Sequence, residues 1–154
     1  METNTELDSI TVAKLHDLVR INIDSDEGFT EASKDITDKS IAALFVELAR
    51  QRRNNALELQ EFISWSGETA AVLGSYVAAM HRAWINLRGM ISGGDSYAIL
   101  AEAERGEDAI KGAYEDAMPA ISDTFIHDLL DKQYANVRAN HDKVKSMRDR
   151  FAAK

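Results

Sequence analysis

The sequence predicts an all-α protein folded as a four-helix bundle of two hairpins joined by a long crossover, with an up-down-up-down bundle and a fifth helix as the alternative. Two observations carry this. Apolar residues recur at steps of three and four through nearly every periodic segment, and no long segment alternates with period two. Short connections near Thr37-Asp38 and near Pro119 then divide the pattern into two long helical hairpins, whose partners must lie antiparallel.

The first helix spans about 11–36, with Leu15, Leu18, Asn22, Asp26, Phe29, Ala32 and Ile36 on one face. Ser9 or Thr11 offers an N-cap. Asp24, Ser25, Asp26 and Gly28 weaken its middle, which points to a kink. Asp38 caps a second helix over about 39–65, with Ile41, Leu44, Phe45, Leu48, Arg52, Asn55, Leu59 and Phe62 inward and Gly67 as its stop. Gly74, Gly89, Gly93 and Gly94 break up the stretch that follows. Within it, SYVAAMHRAWINLRGMI reads as an amphipathic crossover helix, long enough to return the chain to the other end of the bundle. Ser92-Gly-Gly-Asp95 turns into a third long helix over about 96–118, whose inner face is Ile99, Leu100, Ala103, Gly106, Glu107, Ile110, Ala113, Tyr114 and Ala117. Those small residues imply close approach to a neighbour. Pro119 stops this helix, and Ser122 or Asp123 caps the last one, over about 123–151. Its inward residues are Ile126, Leu130, Gln133, Tyr134, Val137, His141, Val144, Met147 and Phe151.

The 154 residues are 45% apolar, which suits one globular domain with residues 1–9 as a loose tail. There is no cysteine, which excludes thiolate ligands, disulfides and cysteine nucleophiles. The first residues, METNTELDS, are acidic and polar, unlike a signal peptide, and no apolar run spans a membrane, so a cytoplasmic protein is expected. A net charge of -8 argues against nucleic acid, and the bases near Lys143 to Arg150 alternate with acids as on a solvated helix face. Gly93-Gly94 lacks the lysine and strand of a phosphate loop, and Ser64, Ser66 and Ser75 have no histidine and acid placed to activate them. Trp84 is expected to plug the bundle while His81, Arg82 and Arg88 stay in water. His16 and His127 are expected on the outside, and Tyr76, Tyr97, Tyr114 and Tyr134 as bundle fillers with their hydroxyls at hydrogen-bonding edges. Helix faces rich in alanine and glycine make a homo-oligomer an expectation too.

A polar residue interrupts the apolar face of every long helix: Asn22 and Asp26, Arg52 and Asn55, Glu107, then Gln133 and His141. Asp26 and Arg52 are equally far from the first turn, and Glu107 and His141 from the second, so each pair should share a level within its hairpin. Buried charge is costly unless paired, and on one reading these pairs compensate each other as a structural belt. The other reading is a metal site, because bundles hold two metals with a carboxylate from each of two helices and a Glu-x-x-His unit from each of the other two.

AEAERGEDAIKGAYEDA, VRANHDKVKSMRD, DEGFTEAS and MHRAWINLRGMI resemble a bacterial family of small ferritin-like four-helix-bundle proteins of unassigned function, over about 10–149. The resemblance implies the ferritin-like fold and brings no established activity. More distantly, Glu104-x-x-Glu107 and His141 are similar to the third- and fourth-helix ligands of rubrerythrins, peroxide-reducing di-iron bundles. That likeness implies Glu104, Glu107 and His141 as candidate iron or manganese ligands, with Asp26 by helical position or Glu27 by the EGF string from the first helix. The pattern departs at Arg138, where a glutamate would stand, and at Arg52-x-x-Asn55, in place of Glu-x-x-His. A guanidinium cannot coordinate and repels a second cation. The residues therefore favour a non-catalytic bundle, linked to stress physiology as ferritin-like families often are, with its metal site degenerated into a polar belt and no cofactor. The alternative is a redox protein with one metal, or a weak di-iron or di-manganese centre, on the third-helix acids and His141.

Overall fold

The computed structural model describes residues 7–63, 75–90 and 95–152. Among the described residues five α-helices follow one another: α1 (Ser9–Asp35), α2 (Lys39–Gln60), α3 (Ser75–Met90), α4 (Ser96–Ala117) and α5 (Thr124–Ala152), with a 3-10 turn at Met118–Ala120. No strand occurs among the described residues. The expected end of the second helix at Gly67, the turn residues Ser92, Gly93 and Gly94, and Ser64 and Ser66 lie outside them. No helix among the described residues is long and apolar enough to cross a membrane.

Aspartates start the helices, because a short carboxylate can accept the first free amides that the helix leaves unpaired. Asp38 accepts from the Ser40 and Ile41 amides, Asp95 from Ala98 at 3.1 Å, and Asp123 from Ile126 at 3.0 Å. At α1 the cap is Asp8, accepting from Thr11 at 2.7 Å, and neither Ser9 nor Thr11. Pro119 falls in the 3-10 turn that ends α4.

The buried seams step by three and four. On α1 the seam is Leu15, Leu18, Asn22, Ser25, Phe29 and Ala32; on α2, Ile41, Phe45, Leu48, Arg52, Asn55 and Leu59; on α5, Ile126, Leu130, Gln133, Val137, Asn140 and Val144. α1 pairs with α2, α4 with α5, and α3 lies against α1 and α4. Arg52 of α2 meets Glu107 of α4, and further along both helices Asn55 and Tyr114 share partners, so α2 and α4 run parallel. Bundle helices that follow each other in the chain and run parallel need a connection that returns the length of the bundle, and the 16 residues of α3, about 24 Å of helix, cover most of it.

Glycines let α3 sit close. A Cβ on Gly28 would lie 2.2 Å from the Trp84 indole, and one on Gly112 would lie 2.5 Å from the Tyr76 ring. The expected kink of α1 does not break the helix: Gly28 lies within a continuous α1 and makes room for Trp84. Trp84 stands edge-on to Phe29 at 4.7 Å, and Phe29 edge-on to Phe45 at 4.9 Å, so the crossover is keyed into the α1–α2 hairpin. The small-residue face of α4, through Gly106 and Gly112, thus meets α3 of the same chain. His81, Arg82 and Arg88 are exposed, as anticipated, whereas His16 and His127 are half-buried.

The α4–α5 hairpin is tied near its turn by the Tyr134 hydroxyl, which donates to Glu115. This hydrogen bond, with Lys111 nearby, holds the Glu115 carboxyl below its ordinary 4.5. The folded chain then binds fewer protons than the unfolded one in that range. The contribution is whole above the unfolded value and is lost as pH falls through the lower folded one. Tyr134→Phe is expected to return Glu115 toward 4.5 in a carboxyl NMR titration; an unmoved midpoint would contradict the assignment.

Candidate functional site

Polar side chains are gathered at the bundle centre because the seam positions of all four long helices carry them at neighbouring levels. Asn22, Asn55, Tyr114 and Gln133 form one closed network. Asn22 Nδ2 donates to Leu18 O at 2.8 Å and to the Tyr114 hydroxyl at 2.9 Å. That hydroxyl donates to Gln133 Oε1 at 2.7 Å, and Gln133 Nε2 donates to Glu58 Oε1 at 2.9 Å. Asn55 Nδ2 donates to Asn22 Oδ1 at 3.3 Å. Burial pushes the Tyr114 hydroxyl pKa up, so it stays a neutral donor. Tyr114 thus fills the bundle and makes hydrogen bonds through its hydroxyl, which lies in the core and not at an edge.

Arg52 lies three residues before Asn55, and Glu107 seven before Tyr114, so their pair is the next layer along the bundle. Both side chains are 0% exposed, and Arg52 Nη2 donates to Glu107 Oε1. Among the described residues, Arg52 Nε and Nη1 and Glu107 Oε2 are buried without a hydrogen-bond partner, as is Ser25 Oγ. Such a pair neutralises charge while leaving part of its desolvation cost uncompensated. The belt therefore exists, but its pairing differs from the hairpin expectation. Arg52 meets an acid across the bundle and not Asp26 of its own hairpin.

The reason is one of helical phase. The α1 seam steps from Asn22 to Ser25, which turns Asp26 outward to a half-buried position where it accepts from Arg53 at 2.9 Å. Glu27 is exposed and lines a cavity of about 510 Å³ between α1 and α3, together with Asp24, Glu31, His81 and Trp84. Asp24, half-buried there, has its carboxyl pKa raised by desolvation.

On α5 the seam steps from Val137 to Asn140, which donates to Gln51. His141 is thereby turned to the α4 side. It does not pair with Glu107; its Nε2 is 2.6 Å from Asp108 Oδ1 and 3.8 Å from Glu104 Oε2. The Glu104 side chain is 13% exposed, His141 14% and Asp108 62%. Arg148 holds the other oxygen of Glu104 and pairs with Asp149 at 2.9 Å. Of the five candidate ligands, Glu104 and His141 are brought together, while Asp26, Glu27 and Glu107 stand elsewhere. Asp108 joined the first two without having been singled out. The signal for it was present, one helical turn after Glu104 on the same face.

The central pair can hold charge in place and lock helix positions. No curated protein matches the sequence. A family model for a domain of unknown function does match, over residues 10–120, which takes in α1 to α4 and stops short of α5. The chain therefore belongs to the family described as domain of unknown function DUF2383.

Proposed function

We propose that this protein is a non-catalytic, ferritin-like bundle serving as a structural or interaction scaffold in bacterial stress physiology, its metal centre replaced by the Arg52–Glu107 ion pair. One observation carries the reading: a fully buried guanidinium is bound to the carboxylate that a central metal would need. A fixed positive charge there opposes a second cation and cannot itself coordinate. The amide network beside it supplies neutral groups in place of Glu-x-x-His units, without the imidazole that such a unit contributes. The redox alternative on the third-helix acids and His141 loses Glu107 as a ligand, because Glu107 and His141 face different neighbours.

Anaerobic titration of the untagged, metal-free chain with Fe(II), followed by air, tests this. The expected result is no ferroxidase absorbance and no pair of ions per chain. Two ions per chain, lost in Glu107→Gln, would overturn the proposal.

A further inference from the structure

We infer that Glu104, Asp108 and His141 form a mononuclear site for a divalent first-row transition ion of zinc type, placed on the α4–α5 seam and separate from the central belt. Three ligand atoms of the right kinds, two carboxylate oxygens and one imidazole nitrogen, lie within 4.8 Å of one another. Zinc takes such sets at about 2.0–2.2 Å and completes four-coordination with water. The site opens toward solvent on the Asp108 side, which leaves room for that water.

The arrangement is held from outside as a ligand set is. Arg148 occupies one oxygen of Glu104 and leaves the other turned to His141. Asp142 lies 3.5 Å from His141 Nδ1, at the limit of hydrogen-bond distance, on the ring edge away from Asp108. A carboxylate there favours the tautomer with its proton on Nδ1 and the lone pair of Nε2 toward the cluster. Counting Glu104, Asp108, Asp142 and Asp149 against Arg148, the formal charge around a neutral His141 is −3. The set has no thiolate and only one nitrogen. That selects a borderline or hard divalent ion and disfavours Cu(I). Its ligands come from two helices, so an ion would fasten α4 to α5 and stabilise the folded chain by mass action.

Calorimetric titration of the metal-free, full-length chain with zinc chloride, with a melting curve at saturating zinc, tests the site. Expected are one ion per chain and a melting temperature raised by at least about 5 °C at a hundredfold excess over Kd. His141→Ala should abolish both effects, and Asp108→Asn, at an exposed position that leaves folding intact, should weaken binding at least tenfold. His127→Ala should change neither. No uptake, or uptake that survives His141→Ala, overturns the inference and leaves the central ion pair untouched. Two ions per chain that depend on Glu107 would instead overturn the scaffold reading above.

Discussion

Arg52→Ala is expected to lower the unfolding free energy by about 3–5 kcal/mol, the usual cost of leaving one member of a buried ion pair alone. Glu107 is 0% exposed, and among the described residues Arg52 supplies the one hydrogen bond to its carboxylate. Once that is gone, the glutamate must either stay charged in the core or take up a proton, and both weaken the fold at neutral pH. The paired replacement Arg52→Met with Glu107→Leu behaves in the opposite way. It removes both charges and the unpartnered atoms of both side chains, and buried pairs replaced by apolar residues of similar volume are often neutral to stabilising. Urea unfolding of the three chains separates the cases through the midpoint at constant slope. A cost below about 1 kcal/mol for Arg52→Ala would mean that the pair is not buried as described.

Trp84→Ala is the other large effect, about 3–5 kcal/mol, because it empties the contact that docks α3 on α1. Gly28→Ala probes the same contact from the opposite side. A methyl group 2.2 Å from the indole forces the ring or the helix to move. Overpacking of this kind costs about 1–3 kcal/mol, offset by the roughly 1 kcal/mol that alanine gains over glycine in a helix. In the Trp84→Ala background the clash is gone and only the helix gain remains, so Gly28→Ala should there stabilise. Equal effects in both backgrounds would rule out the contact as the cause.

The architecture was legible because its determinants are local or periodic. Asp38 as a cap, Pro119 as a stop and the three-four spacing each act within a turn or two, and they place the hairpins and the crossover without knowledge of any partner. Arg52 in the interior beside an acid was legible as well, since a charge at a seam position needs compensation. Its partner was not, because helical position within one hairpin says nothing of what arrives across the bundle.

Two side chains were misplaced by the same slip. Asp26 and His141 were taken four residues after the seam residues Asn22 and Val137, where the seam in fact steps three, to Ser25 and Asn140. One residue is about 100° of helix, enough to move a side chain from the core to its rim. A strict heptad frame would have caught both. Gly28 is a different case: glycine weakens an isolated helix, but here it answers to an indole supplied far along the chain.

Tyr114 has a consequence for how the helices find their final alignment. Its hydroxyl joins amides from α1 and α5, and through them α2, so one atom samples the axial position of every long helix. Greasy seams alone tolerate a slide by one turn, about 5.4 Å, since leucine follows leucine along them. Such a slide would strand the phenol and its amides in a dry interior, a penalty that hydrocarbon contacts do not impose. The tyrosine thus acts as a vernier, ruling out near-miss assemblies that oily packing by itself could not tell from the right one.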